Sequence, residues 1–122
     1  LSGGMARRVA LARAVIMNPK IVLFDEPMTG LDPIAMSTVG QLIRETNDQL
    51  GLTSVIVTHD VSQMKKLVDR CFILAGARLI AEGSPQAMME HTDPAVDQFM
   101  KGRVDGPISF KYQNSRGGSA TR

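Results

Sequence analysis

Three side chains in this 122-residue sequence stand where they could hold a metal or move a proton: Asp25, Glu26 and His59. Asp25 and Glu26 follow the apolar run Ile21-Val22-Leu23-Phe24, and His59-Asp60 follows Ser54-Val55-Ile56-Val57-Thr58. Ligands of open α/β sheets gather at the carboxyl ends of the strands, so residues emerging there are the first functional candidates. Two consecutive carboxylates suit magnesium-dependent phosphoryl transfer, one near the metal and the next placed to polarise an attacking water. A strand running into an ordinary helix cap has the same two residues, so Asp25-Glu26 alone does not decide.

Leu1-Ser2-Gly3-Gly4 adds a second chemistry. Glycines beside a hydroxyl at a helix N-terminus present backbone N–H groups and a positive dipole end to an anion. A plain N-capped helix would explain these four residues equally well. Order and spacing discriminate: Leu-Ser-Gly-Gly, an apolar strand ending Asp25-Glu26-Pro27, then Gly30-Leu31-Asp32-Pro33, then a strand, then His59-Asp60.

The elements that must position these residues are legible in outline. Ser2 is an N-cap for a helix over about 4–17, with Val9, Leu11, Ala12, Val15 and Ile16 as its apolar face and Asn18-Pro19 stopping it. The continuous apolar run 21–24 predicts a strand buried on both faces of a parallel sheet. Asp32-Pro33 opens a helix to about Leu50, with Val39, Leu42, Ile43 and Leu50 inward and Gly51 ending it. Residues 54–58 predict a second buried strand and residues 61–69 a helix. A hairpin follows, 71–75 with 78–81 around Gly76-Ala77, and then short helices near 85–91 and 94–101. From Gly102 periodicity dissolves, and the last nine residues are expected to be disordered.

Composition removes several function classes. A hydrophobic fraction of 43% with 21% charged residues is that of a globular domain, or part of one, and excludes a disordered chain. The 4% aromatic content and net charge of +2 offer no nucleic-acid surface, the basic residues being spread out apart from Arg7, Arg8, Arg13 and Lys111, Arg116, Arg122. Cys71 is alone in an apolar run, which reads as a buried, inert thiol in a reducing compartment. No apolar stretch approaches the ~20 residues that span a bilayer, so any membrane role goes through a partner.

In order and spacing these motifs resemble the second half of ABC transporter nucleotide-binding subunits. The resemblance implies an α/β, parallel-sheet P-loop NTPase (ABC ATPase) fold, C-terminal half only, with a terminal hairpin and short helices. Residues 1–102 would be the C-terminal part of the nucleotide-binding domain and 103–122 a C-terminal extension. Leu1-Ser2-Gly3-Gly4 corresponds to the signature motif, residues 21–25 to the Walker B strand, Glu26 to the catalytic carboxylate, Thr29 to Asp32 to the D-loop and His59 to the switch histidine. The family implies that Asp25 holds Mg²⁺ through water, Glu26 orients or deprotonates the attacking water, and His59 contacts the γ-phosphate. Ser2, Gly3 and Gly4 would cap the γ-phosphate of ATP on a second ATPase protomer, in a head-to-tail dimer.

None of the five lysines precedes Ser or Thr, so no G-x-x-x-x-G-K-[ST] loop lies in these residues. The sequence also opens on Leu1 rather than Met. The phosphate-binding loop, the base-stacking aromatic and the Q-loop are therefore expected upstream, and this stretch alone is expected to be inactive.

Two further stretches resemble the Mla-type ATPases of phospholipid, or toluene-tolerance, transporters: Met5-Ala6-Arg7-Arg8, and Asp93 to Gly102 with Asp105-Gly106-Pro107 and Phe110-Lys111-Tyr112. That resemblance implies phospholipid transport in a Gram-negative envelope, with the subunit peripheral on the cytoplasmic face of the inner membrane, bound to integral-membrane permease subunits. It implies no nucleic acid and no direct membrane insertion. An importer ATPase for a small polar solute, or a soluble ABC ATPase without a permease, is the alternative. Met28, Met36, Met64, Met88, Met89 and Met100 read as core or subunit packing.

Overall fold

The computed structural model describes residues 2–109. Leu1, the Phe110-Lys111-Tyr112 match, the basic tail residues and the nine residues expected to be disordered lie outside the described residues.

Two parallel strands carry the first half. Strand β1 (Ile21–Asp25) pairs with β2 (Thr53–Val57) in a register that sets Ile21 against Thr53 and Asp25 against Val57. Helix α1 (Gly3–Val15) precedes them, and α2 (Pro33–Leu50) makes the crossover. Asp32 and Pro33 start α2 as a capping carboxylate and a proline at the first turn, and Gly51 ends it at a φ of +61° that only glycine adopts without strain.

Val22 is buried and Phe24 and Ile56 are half-buried among Leu11, Met28, Val39, Ile43 and Leu67. The opposite face is open: Leu23 is 76% exposed, and Ile21, Val55 and Val57 are exposed with it. Burial on both faces is therefore a correction. The apolar run has the composition of a doubly covered strand, but the described residues supply helices to one face only.

Helix α1 also packs differently from the expected face. Val9, Ala12 and Ile16 are exposed, and the covered stripe is Gly4, Arg7, Leu11 and Val15. Those positions recur every three or four residues, as a helix lying on one neighbour requires, and Gly4 comes close to Ala35 of α2. Leu50, at the free end of α2, is exposed rather than inward.

The expected 61–69 helix divides into a 3₁₀ turn (Val61–Gln63), capped by Asp60, and the single turn α3 (Met64–Leu67). Strands β3 (Cys71–Ala75) and β4 (Arg78–Gly83) form the antiparallel hairpin, with positive φ at Gly76 and Ala77. Helices α4 (Pro85–Met89) and α5 (Pro94–Lys101) close a second cluster of Cys71, Ile73, Met88, Val96 and Met100. Val68 packs against both clusters. Cys71 is buried and its thiol is pushed up by desolvation, as expected of an inert cysteine.

Past α5 the chain is more ordered than its composition implies. The buried amide of Gln98 donates to the carbonyls of Arg103 and Ile108 and accepts from the Ile108 N–H. One side chain thus satisfies a loop that has no ladder of its own. No helix of the described residues is long and apolar enough to cross a membrane.

Candidate functional site

Because β1 and β2 run parallel and in register, the residues that follow them leave the sheet side by side. The Glu26 N–H donates to the Val57 carbonyl at 2.8 Å, extending the ladder by one residue, and the chain then turns at a Glu26 φ of +46°. Left-handed backbone is unfavourable for a residue with a β-carbon and persists where surrounding contacts over-determine it. Here the Thr29 N–H donates to the Glu26 carbonyl (3.3 Å), and the Thr29 hydroxyl donates to Glu26 Oε2 (3.0 Å). The other carboxylate oxygen, Oε1, meets His59 Nδ1 at 2.7 Å.

Each partner shifts the other. The hydrogen bond from His59 holds the Glu26 carboxyl below its ordinary range, opposed by some loss of solvation and helped by Thr29. The same hydrogen bond raises the His59 imidazole, with the charge of Glu26 adding to it. The arrangement favours a carboxylate beside an imidazolium, at a rim where the His59 side chain is 77% exposed. With Nδ1 engaged, Nε2 is the ring nitrogen left to meet a ligand.

Asp25 ends β1, exposed, one residue before Glu26. No group of three or more His, Cys, Asp or Glu side chains among the described residues forms a complete metal cage. A lone strand-end carboxylate is nevertheless what Mg²⁺ takes from a protein when water and phosphate oxygens fill its other positions, so Asp25 fits that ion.

At the other end of the site, Ser2 caps α1 by accepting from the Met5 N–H at 3.1 Å. The N–H groups of Gly3 and Gly4 belong to the first turn and have no partner within the helix, the usual anion-facing donors. Asp32 spends one carboxylate oxygen on the N–H groups of Ile34 (3.0 Å) and Ala35 (2.9 Å), so its evident task in this fold is to cap α2. Asp25, Glu26 and His59 thus share one rim. Among the described residues no hydrogen bond joins Ser2, Gly3 or Gly4 to them. A cavity of about 190 Å³ between α1, β1 and α2 is lined by Arg7, Leu11, Leu23, Asp25, Pro27 and Ile43. Its largely aliphatic wall makes it a packing gap, not a phosphate seat.

Two contacts go beyond the roles read in the sequence. The Thr29 hydroxyl steadies Glu26, and a hydroxyl three residues after a carboxylate at a turn is a signal that reasoning from sequence can use. The second is Arg7, whose guanidinium donates to the Thr29 carbonyl at 3.1 Å across 22 residues. Its phase on α1, three residues after Gly4 and four before Leu11, places it on the packed stripe, whereas the Arg7-Arg8 pair reads from sequence as a solvated helix face or as positive potential beside the signature.

A family model described as ABC transporter matches residues 1–29. The chain is 48% identical over 112 residues to the intermembrane phospholipid transport system ATP-binding protein MlaF of Haemophilus influenzae, covering 92% of this chain and 42% of that protein. It is 38% identical over 113 residues to the probable ribonucleotide transport ATP-binding protein mkl of Mycobacterium leprae, covering 93% of this chain and 33% of that one. Among solved structures, cbiO1 from Clostridium perfringens, part of the ABC transporter complex cbiONQ, superposes with a TM-score of 0.70 at 36% identity. That match covers 75% of this chain and 36% of the other. The chain thus spans well under half the length of the curated relatives it matches.

Proposed function

Over the segment it spans, the chain belongs to the ABC transporter ATP-binding family, and from that premise we propose that the whole protein hydrolyses ATP to drive a phospholipid transporter. The observation that carries the reading is the Glu26 carboxylate held between His59 and Thr29 at the common end of two parallel strands.

Asp25 would hold a magnesium ion arriving with ATP, which would supply neutralisation of phosphate charge. Glu26, kept ionised by its neighbours, accepts a hydrogen bond from the attacking water and orients it. His59, with Nδ1 held on Oε1 of Glu26, donates to the γ-phosphate through Nε2. Ser2, Gly3 and Gly4 offer first-turn donors to the γ-phosphate of a nucleotide bound to a second copy, in head-to-tail pairing. Leu1 and Asp32 belong to the same set of nucleotide-binding candidates. The complex sits on the cytoplasmic face of the inner membrane, bound to permease subunits; the lipid never touches this chain.

The test uses a chain of the relatives' full length. Glu26→Gln should keep ATP bound and slow hydrolysis by on the order of 10²-fold, the usual loss when a positioned base is removed. Turnover equal to that of the parent would remove Glu26 from the chemistry. The ribonucleotide-named relative motivates a second reading, an ATPase for a small polar solute. With the permease in vesicles, phospholipid and a ribonucleotide are offered in turn as stimulants of ATP hydrolysis. Stimulation by the ribonucleotide alone would favour that second reading.

A further inference from the structure

Helix α1 grips the 26–32 loop at two points. Gly3 lies so close to Leu31 that a β-carbon there would come within 2.9 Å of a Leu31 methyl group. One turn further along, the Arg7 guanidinium donates to the Thr29 carbonyl at 3.1 Å. Thr29 in turn holds Glu26 twice, by its backbone N–H and by its hydroxyl. Arg7 is half-buried on the packed stripe of α1, and among the described residues it forms no ion pair, so its donor is committed to the loop and not to an acidic side chain.

We propose that Arg7 is a positioning residue: by fixing the Thr29 carbonyl it sets the Thr29 hydroxyl against Glu26, and so ties the aim of the carboxylate to the helix whose first turn faces the partner's nucleotide. The inference rests on the reading of Glu26 as the catalytic carboxylate. Its physical content is a relay of rigid parts. Helix α1 moves as a body, its position reaches Thr29 through one charge-assisted hydrogen bond, and Thr29 passes it to Glu26 through a second. Displacement of α1 when the partner docks therefore re-aims Glu26 without any group on α1 touching the reacting atoms.

The experiment measures ATP turnover in a chain of the relatives' full length, with kcat normalised to the number of ATP-binding sites. Arg7→Met keeps the length and apolar stem of the side chain but removes the donor. It should lower kcat on the order of tenfold, less than the ~100-fold that a 1 Å misplacement can cost, with KM for ATP changed less than about twofold. Arg7→Lys, which still offers an N–H donor, should recover most of that loss. Thr29→Val, which deletes only the hydroxyl, should reproduce the Arg7→Met defect, and the double variant should be no slower than either single one.

A merely structural Arg7 would lower the folded fraction and leave normalised kcat unchanged, which overturns the proposal. If Arg7→Met does not fold, Thr29→Val carries the test, since undiminished kcat there breaks the route to Glu26. Glu26→Gln measured alongside separates the two levels: a fast Glu26→Gln sinks the proposed function, whereas a slow Glu26→Gln with normal Arg7→Met and Thr29→Val sinks only this inference.

Discussion

At the scale of single residues, the Glu26–His59 pair defines a pH window. The Glu26 carboxyl is lowered from an ordinary 4.5, so its contribution to stability is present above that value and is lost as pH falls through the lower folded one. The His59 imidazole is raised from 6.5, so its contribution is full below that value and is lost as pH rises through the higher folded one. The pair is closed between those limits. Exposure and salt screening keep its contribution to stability small. Glu26→Gln should therefore bring the His59 imidazole down toward 6.5, read as the midpoint of its ring proton shifts in an NMR titration. A midpoint that stays put would mean that something other than Glu26 raises it.

At the scale of elements, much was written plainly in the sequence. The caps read at Ser2 and Asp32 are a hydroxyl and a carboxylate followed by glycine or proline, and each accepts from backbone N–H groups two or three residues on. Asp32→Ala should cost about 1 kcal/mol, the usual effect of losing an N-cap, seen as a lower denaturant midpoint with an unchanged slope. A change in slope would mean that α2 frays as a separate unit. The faces of α1 and β1 were less legible, because which side of an apolar element is covered depends on neighbours far away in the chain. Val9 and Ile16 have the right composition for a core, but the phase of α1 is set by Gly4 and Leu11 resting on α2. The candidate site divides the same way. Asp25, Glu26 and His59 are fixed by strand ends, which apolar runs reveal. The Arg7 to Thr29 contact is a side chain meeting a carbonyl across 22 residues, and no local pattern encodes it.

At the scale of the whole molecule, no direct hydrogen bond among the described residues joins Ser2, Gly3 or Gly4 to Asp25, Glu26 or His59, and the proposed function has the site completed by a second copy. In a Glu26→Gln background of the relatives' full length, ATP should drive dimer formation, detected by size-exclusion chromatography with light scattering. Adding Ser2→Arg, which sets bulk and charge where the proposed function seats the partner's phosphate, should abolish that dimer while ATP still binds. A dimer that forms equally well would reduce Ser2 to the helix cap it already is. The backbone at Glu26 carries one more consequence. At its φ of +46° glycine is most at ease, followed by asparagine and aspartate, and glutamate is not among the favoured residues. Foldability and the proposed chemistry therefore pull residue 26 in different directions. A randomised library enriched solely for soluble yield, with no ATP to hydrolyse, would drift away from glutamate at this position, and its sturdiest members would be catalytically silent.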